Sequence, residues 1–242
     1  MAKVSSKSVG TAILGVFTAI ALSRAVGPAP ESTVRLGQSA ELDGRQLDRV
    51  GEDLSRQNLQ QRNFTEVDFT GADLSYANLS RATLSDADFT DAVLDGAQMI
   101  RVNAQRAGFQ HATLIRAELV RADLTSANFA NADLDDAVLV GAVMTGASLV
   151  AASLSRVRAD DVVLRGAQLA NADLHSALLT NADLRRADLT NARLNWAVLV
   201  GADLRGAILS GADLGGAALT NASWDETTRW PVGFVPPGNG RR

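Results

Sequence analysis

The residues best equipped for chemistry in this 242-residue chain are carboxylates, and they recur. Asp73, Asp123, Asp183 and Asp203 each directly precede a leucine, as do several others. A pair of carboxylates could work as general acid and base, and a cluster could hold a hard cation. These fall at multiples of five residues, however, which marks them as consensus surface positions of a repeat, able to bind cations only non-specifically. The other reactive types are scarce. There is no cysteine, so disulfides, thiolate metal sites and thiol nucleophiles are excluded. His111 and His175 are the only histidines and do not stand at ligand spacing. His175 is expected on the outside of a strand, in solvent. No glycine-rich phosphate loop and no Ser/His/Asp set in context is present. The expectation is a non-enzymatic protein with no cofactor, no metal and no small-molecule substrate.

The elements that must position any site follow from the same period. From Leu54 to Trp224 every fifth residue is a pentad centre, and twenty-five of these thirty-five centres are leucine. Two residues before each centre, from Ala72 to Ala222, alanine occupies all positions except Val102, Val157 and Val162. A period of five fits neither a helix at about 3.6 nor a flat strand at about 2, so the chain must turn regularly. If each pentad makes one short strand and one corner, four pentads close a square of 20 residues. Phe69, Phe89, Phe109 and Phe129 recur at that spacing and should stack in one interior column. Gly and Asn are concentrated two residues after the centres in the C-terminal half. Type II corners are therefore expected there, with type I or irregular corners before it. The small centres Ala104 and Ala159 predict bulges or distorted coils.

These A(D/N)LXX tandem units resemble the pentapeptide-repeat family over residues 51–225, and the ending Ser223 to Phe234 is similar to C-terminal caps of that family. The resemblance implies an all-β fold: a right-handed quadrilateral parallel β-helix, here of about nine coils. Family members range from exported proteins to gyrase-protecting ones. The resemblance therefore also implies an alternative role, a DNA-mimicking protector of a topoisomerase of the quinolone-resistance type. Arginines arranged in columns, and an N-terminal segment suited to export, argue against it.

That segment gives the remaining boundaries. Lys3 and Lys7 precede the uncharged, mostly apolar stretch from Val9 to Leu22, and Arg24 comes after it. Residues 1–30 read as a cleaved export signal, a retained single-pass anchor or a short hydrophobic helix in solution. Cleavage could follow Ala21-Leu22-Ser23 or Ala25-Val26-Gly27. Either of the first two readings places the repeats outside the cytoplasm, on the periplasmic, lumenal or extracellular side. Residues 31–50 are out of register and read as a linker and N-terminal cap; residues 226–242 read as a C-terminal cap and tail.

With a uniform interior, function is expected on the outward columns. Of the Val, Ile and Leu residues flanking centres, seven fall on one face: Ile100, Val120, Val138, Val140, Leu178, Val198 and Val200. Trp196 enters that face at a corner. Two readings stand: β-branched residues favour strands, or the face is an apolar surface for a protein partner or for self-association. Arg158, Asp160 and Asp161 interrupt it and could divide it in two. Charges also form columns, Arg81, Arg101 and Arg121 on a corner, and Arg165, Arg185 and Arg205 with Asp183 and Asp203 beside them. Both are expected either as solvated structural ladders or as sites for an anion or acidic partner. Nucleic acid is not an expected partner.

Overall fold

The computed structural model describes residues 48–236 and Gly238, all within one compact unit, Leu42–Arg242. The signal or anchor expected at residues 1–30 and nearly all of the linker and cap expected at 31–50 lie outside the described residues. Among the described residues no helix is long and apolar enough to cross a membrane.

One pentad explains the fold. In the unit centred on Leu74, the Leu74 N–H donates to the Val93 carbonyl of the next coil at 2.7 Å, and Tyr76 N–H donates to Asp95 at 2.9 Å. Asp73 N–H donates backwards to Glu52 at 2.9 Å, and Ala77 N–H closes the corner onto the Leu74 carbonyl at 2.9 Å. The fifth amide, of Ser75, donates to the Asp73 carboxylate at 2.9 Å. Every donor of the unit is thereby used, as a largely buried backbone requires.

This arrangement explains the Asp or Asn before each centre, for which the repeat pattern predicts only a surface position. The side chain accepts the one amide that the coil leaves free, an Asx turn. The same bond recurs from Asn78 to Ser80 at 3.0 Å and from Asp123 to Thr125 at 3.1 Å. Where the position is not Asp or Asn, a carboxylate from the preceding coil can substitute, as Asp95 does for Ile115 at 3.0 Å.

Parallel bridges then join residues 20 apart from Asp53↔Asp73 to Asp203↔Ser223. Only the last, Ile208↔Arg229, is one residue longer. Four faces result. The first is centred on the Leu54 column, the second on Leu59, the third on Phe64 and the fourth on Phe69. Leu and Ala of each unit fill the interior, and nearly all have no solvent exposure. On the fourth face, Phe69, Phe89, Phe109 and Phe129 stack with centroids 4.8, 4.9 and 4.6 Å apart and planes within 3°. The expected column is therefore present, at the spacing of about 4.8 Å between paired strands.

Two expectations are corrected. Corners do not divide into two classes: every corner residue from Gly51 to Asn221 has positive φ, including Arg81, Asp91 and Ala151 at 60°, 58° and 56°. The residue before each stays negative and an i to i+3 bond closes each corner, the pattern of a type II turn in both halves. Coil-to-coil hydrogen bonding imposes this geometry on residues that disfavour it, at a cost on the order of 1 kcal/mol each. Nor do Ala104 and Ala159 cause bulges. Asn103↔Asp123 and Arg158↔Leu178 keep register, and the change is limited to neighbouring corner bonds, which lengthen to 3.3 Å after both centres and also before Ala104. Val102 and Val157 stand where alanine is usual and are buried beside these centres. Large and small residues have exchanged places, so the core volume is roughly conserved.

At the C-terminal end Trp224 meets Trp230 edge-on at 6.1 Å, and Trp230 stacks on Phe234 at 5.3 Å. Thr228 is buried and its hydroxyl donates to the Leu204 carbonyl at 3.0 Å.

Phe109→Ala should cost about 3–5 kcal/mol in chemical denaturation, because both stacked neighbours lose a partner in a core that cannot close the gap. Asp73→Ala should cost about 1 kcal/mol, the net worth of one hydrogen bond, with β-rich circular dichroism retained.

Candidate interaction surface

The second face departs furthest from the Asx-turn scheme, which also lapses at Thr145 and Arg165 on the third face and at Gln110, Val150 and Ala170 on the fourth. Asn58 and Asn78 supply Asx bonds to Gln60 and Ser80 at 3.3 and 3.0 Å. From there the same column reads Gln98, Glu118, Val138, Arg158, Leu178, Val198 and Ala218. In these seven successive coils no Asp or Asn accepts the outward amide. The amides of Ile100, Val120, Val140 and Val200 accordingly have no acceptor among the described residues. The face that carries the sequence-predicted apolar residues is thus also the one with the longest unbroken run of free backbone donors.

Those residues are not equally open. Ile100, Val120, Val138, Val140, Val198 and Val200 are half-buried, because each is shielded by the residue one coil away. Leu178 is 37% exposed and Trp196 is 65% exposed. Arg158 lies between Val138 and Leu178 in the bridge column and is exposed, so the face divides into two patches. The C-terminal patch holds Leu178, Trp196, Val198 and Val200.

Trp196 occupies a corner with φ 62°. Its indole lies over Gly216 of the next coil, where an added Cβ would come within 2.6 Å of the ring. Tyr76 repeats the device over Gly96, also at 2.6 Å, and is 62% exposed. Tyr76 is not among the residues expected from the sequence. Its signal is a glycine 20 residues after each exposed aromatic, on the one corner column that also contains Arg56, whose guanidinium carbon sits 5.9 Å from the Tyr76 ring centroid.

The two arginine ladders separate. Arg165, Arg185 and Arg205 interleave with aspartates: Arg165 to Asp183 at 2.9 Å, Arg185 to Asp183 at 2.6 Å and to Asp203 at 3.5 Å, Arg205 to Asp203 at 2.5 Å. Every arginine of this ladder is ion-paired. Burial pushes the Asp183 carboxyl above its ordinary range, against the pull of Arg165, whereas the Arg205 hydrogen bond holds Asp203 below it. Arg81, Arg101 and Arg121 form no ion pair among the described residues. They line a surface groove of about 740 Å³ together with Ile100, Val120 and Val140. The structure therefore brings together parts of two sets that the sequence keeps apart.

Neither histidine meets a partner suited to catalysis. The His175 Nδ1 lies 2.8 Å from the Asn195 amide nitrogen, and His111 occupies an exposed corner. Among the described residues no group of three His, Asp or Glu side chains converges to hold a metal ion.

A four-sided parallel solenoid with a solid apolar interior and its variation confined to the surface is the class defined by these observations. Comparison with protein families matches "Pentapeptide repeats" in eight copies, in stretches running from residues 53–86 to 187–223. The chain belongs to the pentapeptide-repeat family, whose members form right-handed quadrilateral β-helices and are generally non-catalytic. Among solved structures it is similar to HetL, a pentapeptide repeat protein involved in heterocyst differentiation regulation from the cyanobacterium Nostoc. The identity is 31%, over 69% of this chain and 89% of HetL, with a TM-score of 0.34. It is also similar to QnrB1, a plasmid-mediated fluoroquinolone resistance protein, at 20% identity over 73% of this chain and 90% of that one, with a TM-score of 0.44. A third is Rfr23 from the cyanobacterium Cyanothece, at 35% identity over 45% and 63% of the two chains, with a TM-score of 0.18. Comparison with curated protein sequences finds no match.

The opposite displacements of Asp183 and Asp203 predict opposite pH behaviour. The stabilisation from ionised Asp203 is fully present above the ordinary Asp value of 3.8 and is lost as pH falls through its lower folded value. The melting-temperature deficit of Asp203→Asn should therefore be largest at neutral pH and shrink in acid. Asp183 is displaced upward, so wild type should gain stability relative to Asp183→Asn as pH falls through the raised value towards 3.8. Thermal melts of both variants across this range check the signs.

Proposed function

We propose that this protein is a non-enzymatic interaction scaffold, exported or membrane-tethered, whose second face docks a protein partner or a second copy of the chain. One observation carries the reading. Trp196 is 65% exposed, and its ring is pinned over Gly216 beside Leu178, Val198 and Val200. An exposed aromatic held in one orientation loses little conformational freedom on binding and offers a large area, the profile of an interface anchor. The apolar neighbours extend that area without a carboxylate column of the kind found on the other faces.

Location rests on residues 1–30: Lys3 and Lys7 before the apolar stretch Val9 to Leu22 favour translocation of the repeats, whether the segment is cleaved or stays as an anchor. A nucleic-acid mimic would need carboxylates along its exposed columns. Arg81, Arg101 and Arg121 occupy one of them instead.

Leu178→Asp combined with Val198→Asp should abolish association, read by light scattering and by cross-linking on native membranes, and should leave circular dichroism and melting largely unchanged. An unaltered oligomeric state together with unaltered cross-links would overturn the docking reading.

A further inference from the structure

We infer that the N-terminal half of the second face is a separate binding site for an extended acidic polypeptide segment. It is independent of the Trp196 patch, from which Arg158 divides it. Its first feature is a set of cations without counterions. Of the two stacked arginine ladders, the one with Asp183 and Asp203 has every arginine ion-paired, and the one with Arg81, Arg101 and Arg121 has no carboxylate bound to it. Three guanidinium groups on successive coils repel one another at a spacing of about 4.8 Å, so the column is a standing positive potential. Glu118, the nearest acidic residue of the same face, stands in the bridge column between Gln98 and Val138 and does not line the groove.

Backbone donors add a second attraction. The amides of Ile100, Val120 and Val140 stand where Asp73 and Asp123 accept the amide of their own units, and on three successive coils here they have no acceptor among the described residues. Their side chains form an apolar floor, with Gln60, Asn78, Ser80 and Gln98 at its polar margin. Arg81 to Arg121 spans two coil rises, about 10 Å, the length of three to four extended residues. A short strand with alternating acidic and apolar side chains meets all three features: carboxylates at the arginines, oxygen acceptors at the amides, apolar groups on the floor.

Nucleic acid fits less well. No aromatic residue lines the groove to stack a base, and the repeat region from 51 to 225 carries 22 acidic against 14 basic residues, which repels a long polyanion.

The test is fluorescence anisotropy on the full chain, with a labelled decapeptide of alternating Glu and Val as probe and a labelled ten-nucleotide oligo-dT as comparison. Wild type should bind the peptide saturably, with affinity falling as salt rises, and should bind the oligonucleotide at least tenfold more weakly. Arg81→Gln, Arg101→Gln and Arg121→Gln together should weaken peptide binding at least tenfold. The matched set Arg106→Gln, Arg116→Gln and Arg186→Gln, at corners outside the groove and with the same change in net charge, should leave it within twofold. All these arginines are at outward positions, and melting curves confirm that both triple variants fold. Equal loss in the two triple variants, no loss in either, no peptide binding by wild type, or tighter binding of the oligonucleotide would each overturn the inference.

Discussion

Everything in this protein depends on the hydrogen-bonded register between one coil and the next. Each residue sits about 4.8 Å from its equivalent 20 positions away, and three of the five amides in a pentad are spent on that relation. Because the coils are joined at all four faces, a local preference that disagrees with the register loses. Arginine, aspartate and even alanine are held in left-handed backbone at corners where an isolated peptide would avoid it. No single strand is long enough to be stable by itself. Stability comes from repetition, each coil resting on its neighbours.

The interior of the fold is legible in the sequence because it obeys one constraint at a time. A centre must be large and its companion two residues earlier must be small, and Leu74 with Ala72, or Phe109 with Ala107, state that rule in composition alone. The corners are not legible, because their conformation is set by hydrogen bonds between residues 19 positions apart, such as Arg56 N–H to the Ser75 carbonyl, and not by local residue preference. Ala104 and Ala159 mislead for a related reason: the volume they lack is supplied by Val102 and Val157, and the sum matters more than either position.

The surface is legible in part. Counting by 20 places the apolar and charged columns on their faces, since a β-solenoid converts sequence period directly into position. Counting does not reveal which charges find partners. The sequence sets Asp183 and Asp203 beside Arg165 to Arg205 and leaves Arg81 to Arg121 on a corner, but only the coordinates show that the first set pairs with them and that the second forms no ion pair among the described residues. The role of Asp73 and its equivalents is hidden for another reason. An outward carboxylate looks like solubilising charge until the amide two residues on is seen to need an acceptor.

The closed four-sided coil also governs how such a chain can change length. Removal or duplication of one pentad would leave the interior well packed, yet it would turn everything downstream by a quarter revolution. Trp196 would then leave the side shared with Arg101. Only gain or loss of 20 residues preserves the angular phase of the two patches, so lineages that need both on one side are confined to whole-turn steps.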